Sequence, residues 1–238
     1  MFIYNLLIYI ISPYLITKLL LEAVKRKSGV RFIMQRLGLS YLKINEKTIW
    51  IHASSVGETK IAINLYENLS KDSPKSRFLI TTSTSTSTAI IPKNDNISHM
   101  YLPIDWLFAT KRFIQFINPK ICILIETELW PNLIKVCKQK KIPIVIANAR
   151  LSEKTTSNPK FIKNIYRDVL SDIDLILCKS ERDKDKYIQL GHKDGKIKVL
   201  GNLKYSNFKK EILTSESIID RKYVLALSTH PDEERQII

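Results

Sequence analysis

Seven short apolar runs alternate with helix-like patterns along most of the chain, and this alternation limits the possible fold more than any other feature. Helix-like segments lie between the runs at 58–71, 106–117, 129–140 and 180–191, and in the first of them Ile61, Leu65 and Leu69 recur at every fourth position. Strands that are nearly continuous in Ile, Val and Leu are buried on both faces, as parallel strands covered by helices are. The pattern therefore predicts an α/β protein with a doubly wound parallel sheet. The predicted strands span 48–53, 77–83, 97–104, 120–126, 142–149, 174–180 and 196–202.

The N-terminus predicts a membrane anchor. Residues 1–23 are largely apolar and almost uncharged until Lys18, and the basic cluster Lys25, Arg26 and Lys27 follows them. A cleavable signal peptide carries its positive charge before the apolar stretch, so this order argues against one. The stretch is close to the roughly 20 residues needed to cross a bilayer, and a helix lying in the membrane interface is the alternative. The basic flank predicts that the body of the protein lies on the cytoplasmic side.

The charge balance favours anionic partners. The chain has 38 Lys and Arg against 23 Asp and Glu, a net charge of +15, which suits phosphorylated substrates, an acidic membrane face or nucleic acid. A coding bias towards Lys, Ile and Asn is an alternative source of the excess. Nucleic-acid binding rests on charge alone, because no recognition motif accompanies it, and we do not expect it.

The cysteines indicate a reducing compartment. Cys122, Cys137 and Cys178 are widely separated and form no Cys-x-x-Cys pair. Their spacing argues against a disulfide framework and against a zinc site.

The stretch HASSVGE, residues 52–58, places a carboxylate where a predicted strand gives way to a helix. Ligands of open α/β sheets bind at the carboxyl ends of the strands, so Glu58, beside a bend at Gly57, is a candidate general base. Such a role requires a pKa near the working pH. The alternative is a helix cap, because acids in the first turn interact favourably with the positive end of a helix, which would also lower the pKa of Glu58.

A second pair of carboxylates follows the strand at 120–126. Glu126 and Glu128 belong to ETELWPN, in which Trp130 and Pro131 begin a helix. Two residues apart in extended chain, the two side chains point to the same face. They could bind a metal or a hydroxyl-rich ligand, or cap the helix. No His or Asp lies at metal-ligand spacing, so we do not expect a metal.

Polar and basic residues also follow later strands. Arg150 and Ser152 come after the strand at 142–149, and Asn202 and Lys204 lie at the end of the last run. Loop Arg and Lys side chains in these positions suit phosphate or carboxylate groups. A serine and threonine run at 83–88 lies at the end of the second strand, where ligand loops are also found.

Taken together, five motifs resemble those of the Kdo transferases of Gram-negative bacteria, which transfer 3-deoxy-D-manno-oct-2-ulosonic acid (Kdo). The resemblance covers nearly the whole chain behind its apolar N-terminus, with the motifs in the order and spacing of that family. The motifs are HASSVGE, ETELWPN, IANARLS, GNLKY and STHPDEE.

The resemblance implies a fold, a reaction and site residues. The implied fold is the amino-terminal, Rossmann-like half of a glycosyltransferase B fold, at the cytoplasmic face of the inner membrane. The implied reaction is inverting transfer of Kdo from CMP-Kdo to lipid IVA, without a metal or other cofactor. The expected catalytic residues are Glu58 as base, with Glu128 and Lys204 stabilising the transition state. The expected substrate-binding residues are Ser55, Gly57, Arg150 and Asn202.

The resemblance also implies a division into domains. We expect a membrane anchor with its basic flank at 1–27, an acceptor-binding domain at 28–208, and a connector with the truncated start of a donor-binding domain at 209–238. STHPDEE opens that second domain in the family, so most of the donor site is expected to be missing. Two hypotheses follow: a second chain supplies the donor domain, or this chain is a catalytically inactive, membrane-bound acceptor-binding fragment.

Overall fold

The computed structural model describes residues 1–153, 155 and 159–205. The chain divides into two compact units, Met1–Asn207 and Phe208–Ile238, and every described residue belongs to the first. The expected connector and second domain at 209–238 therefore lie outside the described residues, and the expected domain boundaries stay predictions.

Seven parallel strands form a single sheet in the order β3-β2-β1-β4-β5-β6-β7. Every predicted strand is present, with ends shifted by a few residues, and the doubly wound parallel sheet is confirmed. Its order is that of the Rossmann fold with one further strand. The strands are β1 Thr48–Ala53, β2 Arg77–Thr82, β3 Ile97–Tyr101, β4 Pro119–Ile125, β5 Ile144–Ala149, β6 Leu175–Cys178 and β7 Ile197–Val199.

Helices connect the strands, and the four predicted from the sequence within 58–71, 106–117, 129–140 and 180–191 are present. The helices Gly29–Arg36 and Lys160–Ser171 were not predicted. The serine and threonine run continues into a 3-10 helix, Ser85–Ile90. The helices are α1 Phe2–Ile10, α2 Ser12–Lys25, α3 Gly29–Arg36, α4 Val56–Asp72, α5 Leu107–Ile117, α6 Pro131–Gln139, α7 Lys160–Ser171 and α8 Glu181–Gln189. Two further 3-10 helices are Asp194–Lys196 and Leu203–Tyr205.

Both faces of the sheet are buried, which explains the continuous apolar runs. Trp50 belongs to the larger core cluster, whereas its neighbours Ile49 and Ile51 belong to a second cluster. Side chains of successive strand residues point to opposite faces, so the two clusters are the two sides of one sheet. The three cysteines are buried and unpaired.

The apolar N-terminus forms two helices rather than the one expected anchor helix. Helices α1 and α2 meet at 53°, and Pro13 lies in the first turn of α2, where a missing N–H costs nothing. Among the described residues no single helix is long and apolar enough to cross a membrane, whereas this bent pair has the required length and composition.

One face of the helix pair packs against the body of the protein. Ile8, Leu19 and Ala23 are buried in a third core cluster, which also contains Trp106. The opposite face leaves large apolar side chains exposed. They are Phe2, Ile3, Leu6, Leu7, Tyr9, Ile10, Ile11, Tyr14, Leu20, Leu21 and Val24.

Candidate functional site

The candidate site lies where the strand order reverses. From β1 the chain continues outward to β2 and β3, and from β4 it continues outward on the other side to β5, β6 and β7. The crevice outside the carboxyl ends of two such central strands is the usual ligand site of open α/β sheets. Here the two ends carry 54–58 and 126–130, so the topology brings together two of the sequence motifs.

Glu58 caps the helix it opens. Ser55 is the N-cap residue of α4 and its Oγ accepts the Glu58 N–H at 3.3 Å. In return, the Ser55 hydroxyl donates to Glu58 Oε1 and the Ser54 N–H donates to Oε2, each at 2.8 Å. This reciprocal pattern is close to a capping box. The capping interpretation therefore describes the contacts of Glu58, which nevertheless lies at the edge of the crevice.

The pKa of Glu58 is raised, contrary to the expectation from the helix dipole. Burial raises it and outweighs the opposing hydrogen bonds from Ser55 and Ser54, while the charge of Glu128 raises it further. A raised pKa makes the half-buried carboxylate a better proton acceptor, as a general base requires. The same side chain can thus serve as cap and as base.

Glu128 is held in its charged form by three neighbours. Its Oε2 accepts hydrogen bonds from Trp130 Nε1 at 2.9 Å and from the Ser54 hydroxyl, and His52 Nε2 lies 3.6 Å away. Burial raises the pKa of Glu128, but hydrogen bonds and charge from His52, Ser54 and Trp130 outweigh it, and the net pKa is lowered. Its Oε1 accepts no hydrogen bond from any described residue, so it is available to a ligand.

A buried line of hydrogen bonds supports Glu128 from inside the sheet. His52 is fully buried, with Nδ1 2.9 Å from Thr81 Oγ1 and Nε2 3.1 Å from Ser54 Oγ. Trp50 Nε1 donates to Thr81 Oγ1 at 2.8 Å, so the threonine hydrogen is free to point at Nδ1. Nδ1 also lies 3.2 Å from the Thr81 carbonyl oxygen, so both ring nitrogens of His52 have partners within the protein.

Sequence reasoning missed His52, Ser54 and Thr81. A signal was present: Trp50 and His52 alternate along a buried strand, so their side chains share a face. Thr81 lies directly opposite His52 in the β1–β2 register, but a sequence read by itself does not give that register.

Glu126 does not share a face with Glu128, so that expectation is wrong. Strand β4 ends at Ile125, and Glu126 has φ +63°, which turns the chain out of the extended conformation. Its carboxylate binds Arg150 Nε at 2.8 Å and lies 3.5 Å from Lys204 Nζ. Three predicted motifs therefore meet in one ion-pair cluster. The residue that ETELWPN contributes to this cluster is Glu126, not Glu128.

Other predicted residues make local contacts. Gly57 lies in the first helical turn without positive φ, and a Cβ there would have Ser55 Oγ as its nearest neighbour at 3.9 Å, so the expected glycine bend is wrong. Asn202 Oδ1 accepts the Lys204 N–H at 3.1 Å, and Ser152 Oγ lies 3.0 Å from Thr155 Oγ1. Among the described residues, no three His, Cys, Asp or Glu side chains are grouped to hold a metal ion.

The serine and threonine run reaches the site, as its position at the end of β2 predicted. Ser83 Oγ lies 3.1 Å from Ser54 Oγ. The Thr84 hydroxyl donates to the Ser54 carbonyl at 3.4 Å. The run therefore closes the β2 side of the crevice around Ser54.

Comparison with solved structures supports the fold. The structure is similar to UDP-GlcNAc 2-epimerase from Neisseria meningitidis, with a TM-score of 0.50 and 13% identity, over 66% of this chain and 47% of that one. At this identity the similarity concerns the fold alone.

Curated relatives match nearly the whole chain. It is 33% identical over 245 residues to a 3-deoxy-D-manno-octulosonic acid transferase of Rickettsia bellii, covering 99% of this chain. It is 35% identical over 249 residues to the enzyme of that name from Haemophilus influenzae, covering 100% of this chain. In both cases the chain spans 58% of the relative's length. The model of the 3-deoxy-D-manno-octulosonic-acid transferase (kdotransferase) family matches residues 31–207, and the chain belongs to that family.

Proposed function

We propose that the chain binds the acceptor and supplies the base in the transfer of Kdo from CMP-Kdo to lipid IVA. Family membership and the Haemophilus and Rickettsia relatives support Kdo transfer. One observation carries the proposal: Glu58 and Glu128 both lie at the point where the sheet reverses, and Ser54 contacts both carboxylates. Their pKa values are shifted in opposite directions, which is how two neighbouring carboxyl groups acquire different roles.

In the proposed mechanism Glu58 is the general base. The acceptor hydroxyl replaces the Ser55 hydroxyl at Oε1, while the Ser54 N–H keeps Oε2 in place. Glu58 takes the hydroxyl proton as the acceptor oxygen bonds to the anomeric carbon of Kdo. The bond from that carbon to the phosphate oxygen of CMP breaks on the opposite face, so the configuration inverts and CMP leaves.

Glu128 and the nearby cations balance the charges that develop. Positive charge builds on the sugar ring in a glycosyl transition state, and the ionised Glu128, with one oxygen free of described partners, is placed to stabilise it. We assign Lys204 to the negative charge of the leaving phosphate, with Ser55, Gly57, Arg150 and Asn202 as substrate contacts. These residues supply positive charge, so no metal or other cofactor is proposed.

We further propose that the N-terminal helix pair lies on the cytoplasmic face of the inner membrane. Its exposed apolar face and the cluster Lys25, Arg26 and Lys27 suit an anionic bilayer surface. The alternative of a spanning helix is less favourable, because α1 is bound to the body by the Tyr4 hydroxyl, which donates to Asp105 Oδ2 at 2.9 Å.

Kdo transfer by membranes that contain the chain tests the function. Radiolabelled CMP-Kdo and lipid IVA are supplied to wild type, to Glu58→Gln and to the control Glu67→Gln, an exposed acid farther along α4. A second series adds the carboxyl-terminal half of the Haemophilus influenzae relative as a separate chain. We expect Glu58→Gln to lower the rate at least about 100-fold and Glu67→Gln to leave it unchanged.

Two results would contradict the proposal in different ways. Full transfer by Glu58→Gln would leave Glu58 as a helix cap only. No transfer by wild type in either series, with lipid IVA still bound, would instead support the acceptor-binding fragment. Loss of both transfer and lipid binding would remove the proposed function altogether.

A further inference from the structure

A cleft of about 650 Å³ opens at the carboxyl ends of β5 and β6, next to the candidate site. Four basic side chains line it: Arg150, Lys179, Arg182 and Lys186. Arg150 also binds Glu126, so the cleft and the ion-pair cluster of the candidate site share a residue. The carboxyl edge of a parallel sheet is where ligands bind in this class of fold.

One carboxylate of the chain already occupies the position between two of these cations. Glu153 Oε1 lies 2.6 Å from a terminal guanidinium nitrogen of Arg182 and 3.3 Å from Lys186 Nζ. Hydrogen bonding to Lys186, with the charges of Lys186 and Arg182, lowers the pKa of Glu153. Because Arg182 and Glu153 are 78% and 70% exposed, their pair is weak and open to replacement by another anion.

The other two basic side chains, Arg150 and Lys179, have N–H groups that are available to a ligand. Among the described residues, Glu126 engages only the Nε–H of Arg150, so the terminal N–H groups of Arg150 remain for a ligand. The ammonium group of Lys179 forms no ion pair with any described residue. An anion in the cleft would therefore meet two groups without competing for them.

Helix α8, which follows β6, helps to shape the cleft but adds no net attraction for anions. Ser180 is the N-cap of α8, and Glu181 and Asp183 occupy its first turn. The Asp183 carboxylate already accepts the Ser180 hydroxyl at 2.6 Å and the Leu151 N–H at 3.2 Å. These acids offset the helix dipole, so the attraction for anions comes from the four basic side chains.

We propose that this cleft is a binding site for a phosphate monoester. Guanidinium and ammonium groups around one oxygen position are the partners that phosphate oxygens prefer. Lys179 and Arg182 follow β6, which three strand spacings, or about 14 Å, separate from β1. A phosphate bound by these two side chains is therefore too far from Glu58 to be on the group that reacts there. The assignment of this phosphate to the acceptor lipid rests on the function proposed above. The proposal that the cleft binds phosphate does not depend on that function.

A charge-matched pair of double variants tests the site in the full chain. Lys179→Gln with Arg182→Gln removes two cations from the cleft, and Lys111→Gln with Lys140→Gln removes two exposed lysines elsewhere. Binding of inorganic phosphate is measured by calorimetry. Binding to phosphatidylcholine vesicles with either lipid IVA or dephosphorylated lipid IVA is measured by flotation.

We expect the cleft variant to lose about tenfold or more in affinity for inorganic phosphate and for lipid IVA, because hydrogen bonds to charged groups are the strong ones. Neither variant should lose affinity for the dephosphorylated lipid. Glu153→Gln should act in the opposite direction and strengthen phosphate binding, since it removes the competing carboxylate.

Equal phosphate affinity in the two double variants would overturn the inference, as would weaker phosphate binding in Glu153→Gln. Loss of inorganic phosphate binding in the cleft variant, when no protein binds lipid IVA, would support the phosphate site and contradict its assignment to the acceptor. The failures of the site and of the proposed function are thus distinguishable.

Discussion

Removal of the Ser54 hydroxyl is the most direct test of the buried network at the candidate site. Ser54 Oγ lies 3.1 Å from His52 Nε2 and 3.1 Å from Ser83 Oγ, and it donates to Glu128 Oε2. In Ser54→Ala, His52 Nε2 loses a hydrogen-bond partner and Glu128 loses a donor. His52 is fully buried, so its ring nitrogens depend on partners within the protein.

The expected loss of stability in Ser54→Ala follows from these distances. A buried polar group left without a partner costs about 1–3 kcal/mol. Glu128 Oε2 lies 3.6 Å from His52 Nε2, and a shift of less than about 1 Å would form a direct hydrogen bond. Part of the loss is therefore recovered. We expect Ser54→Ala to lower the free energy of unfolding at pH 7 by about 1–2 kcal/mol.

The pH dependence has a definite sign. The pKa of Glu128 is lowered in the folded protein, and the Ser54 hydrogen bond contributes to that shift. A lowered pKa gives stability that is present above the unfolded value of 4.5 and lost as the pH falls through the folded pKa. The difference in stability between wild type and Ser54→Ala should therefore shrink as the pH is lowered below 4.5.

Urea unfolding of the full chain in detergent, followed by circular dichroism from pH 7 to about pH 3, measures both effects. Ser70→Ala, near the end of α4, is the control, because the Ser70 hydroxyl donates only to the Glu67 carbonyl among the described residues. If Ser54→Ala were within about 0.5 kcal/mol of wild type at pH 7, Ser54 would not bridge the network. A difference independent of pH would contradict the link to Glu128.

Two further predictions concern positions outside the crevice. A Cβ at Gly38 would lie 2.5 Å from Ala109 Cβ, whereas one at Gly29, which also has positive φ, would meet nothing within 4 Å. Urea unfolding should show that Gly38→Ala lowers the free energy of unfolding by about 1–3 kcal/mol and that Gly29→Ala lowers it less. Equal losses in the two variants would contradict the steric argument. Burial raises the pKa of Asp105 from 3.8 to about 6, so the folded protein holds a proton that the unfolded chain releases. Asp105 should therefore contribute a fall of up to about 3 kcal/mol in the free energy of unfolding between pH 4 and pH 7. This contribution should be lost in Asp105→Asn, and an unchanged pH dependence in that variant would refute the assignment.

The sheet could be predicted because its signal is local. The strands are short, mostly apolar runs, and helix-like segments separate them, so no long-range information was needed. The bend between α1 and α2 was harder to predict from the sequence. Apolar residues lie on every side of both helices, and the packing of Ile8 and Leu19 against the body separates a buried face from an exposed one.

The site could be predicted only in part, for a related reason. The position of Glu58 follows from a strand, a turn and a helix in sequence. The partners of Glu128 depend on the register between β1 and β2 and on the adjacency of β1 and β4, which are long-range. The conformation of Glu126 has no sequence signal, since a positive φ is unusual for a glutamate.

One polar cluster links the exposed apolar helices to the loop that carries Glu128. Asp105 Oδ2 accepts the Tyr4 hydroxyl of α1 and the Asn132 N–H at the start of α6, each at 2.9 Å. The Asn132 side chain also donates to Asn5 Oδ1 at 2.7 Å. Because α6 begins directly after the Glu128 loop, the helices proposed to contact lipid and the proposed catalytic carboxylate are fixed to the same cluster. The same contacts would then set the height of the crevice above the bilayer, as the proposed transfer to a lipid acceptor requires.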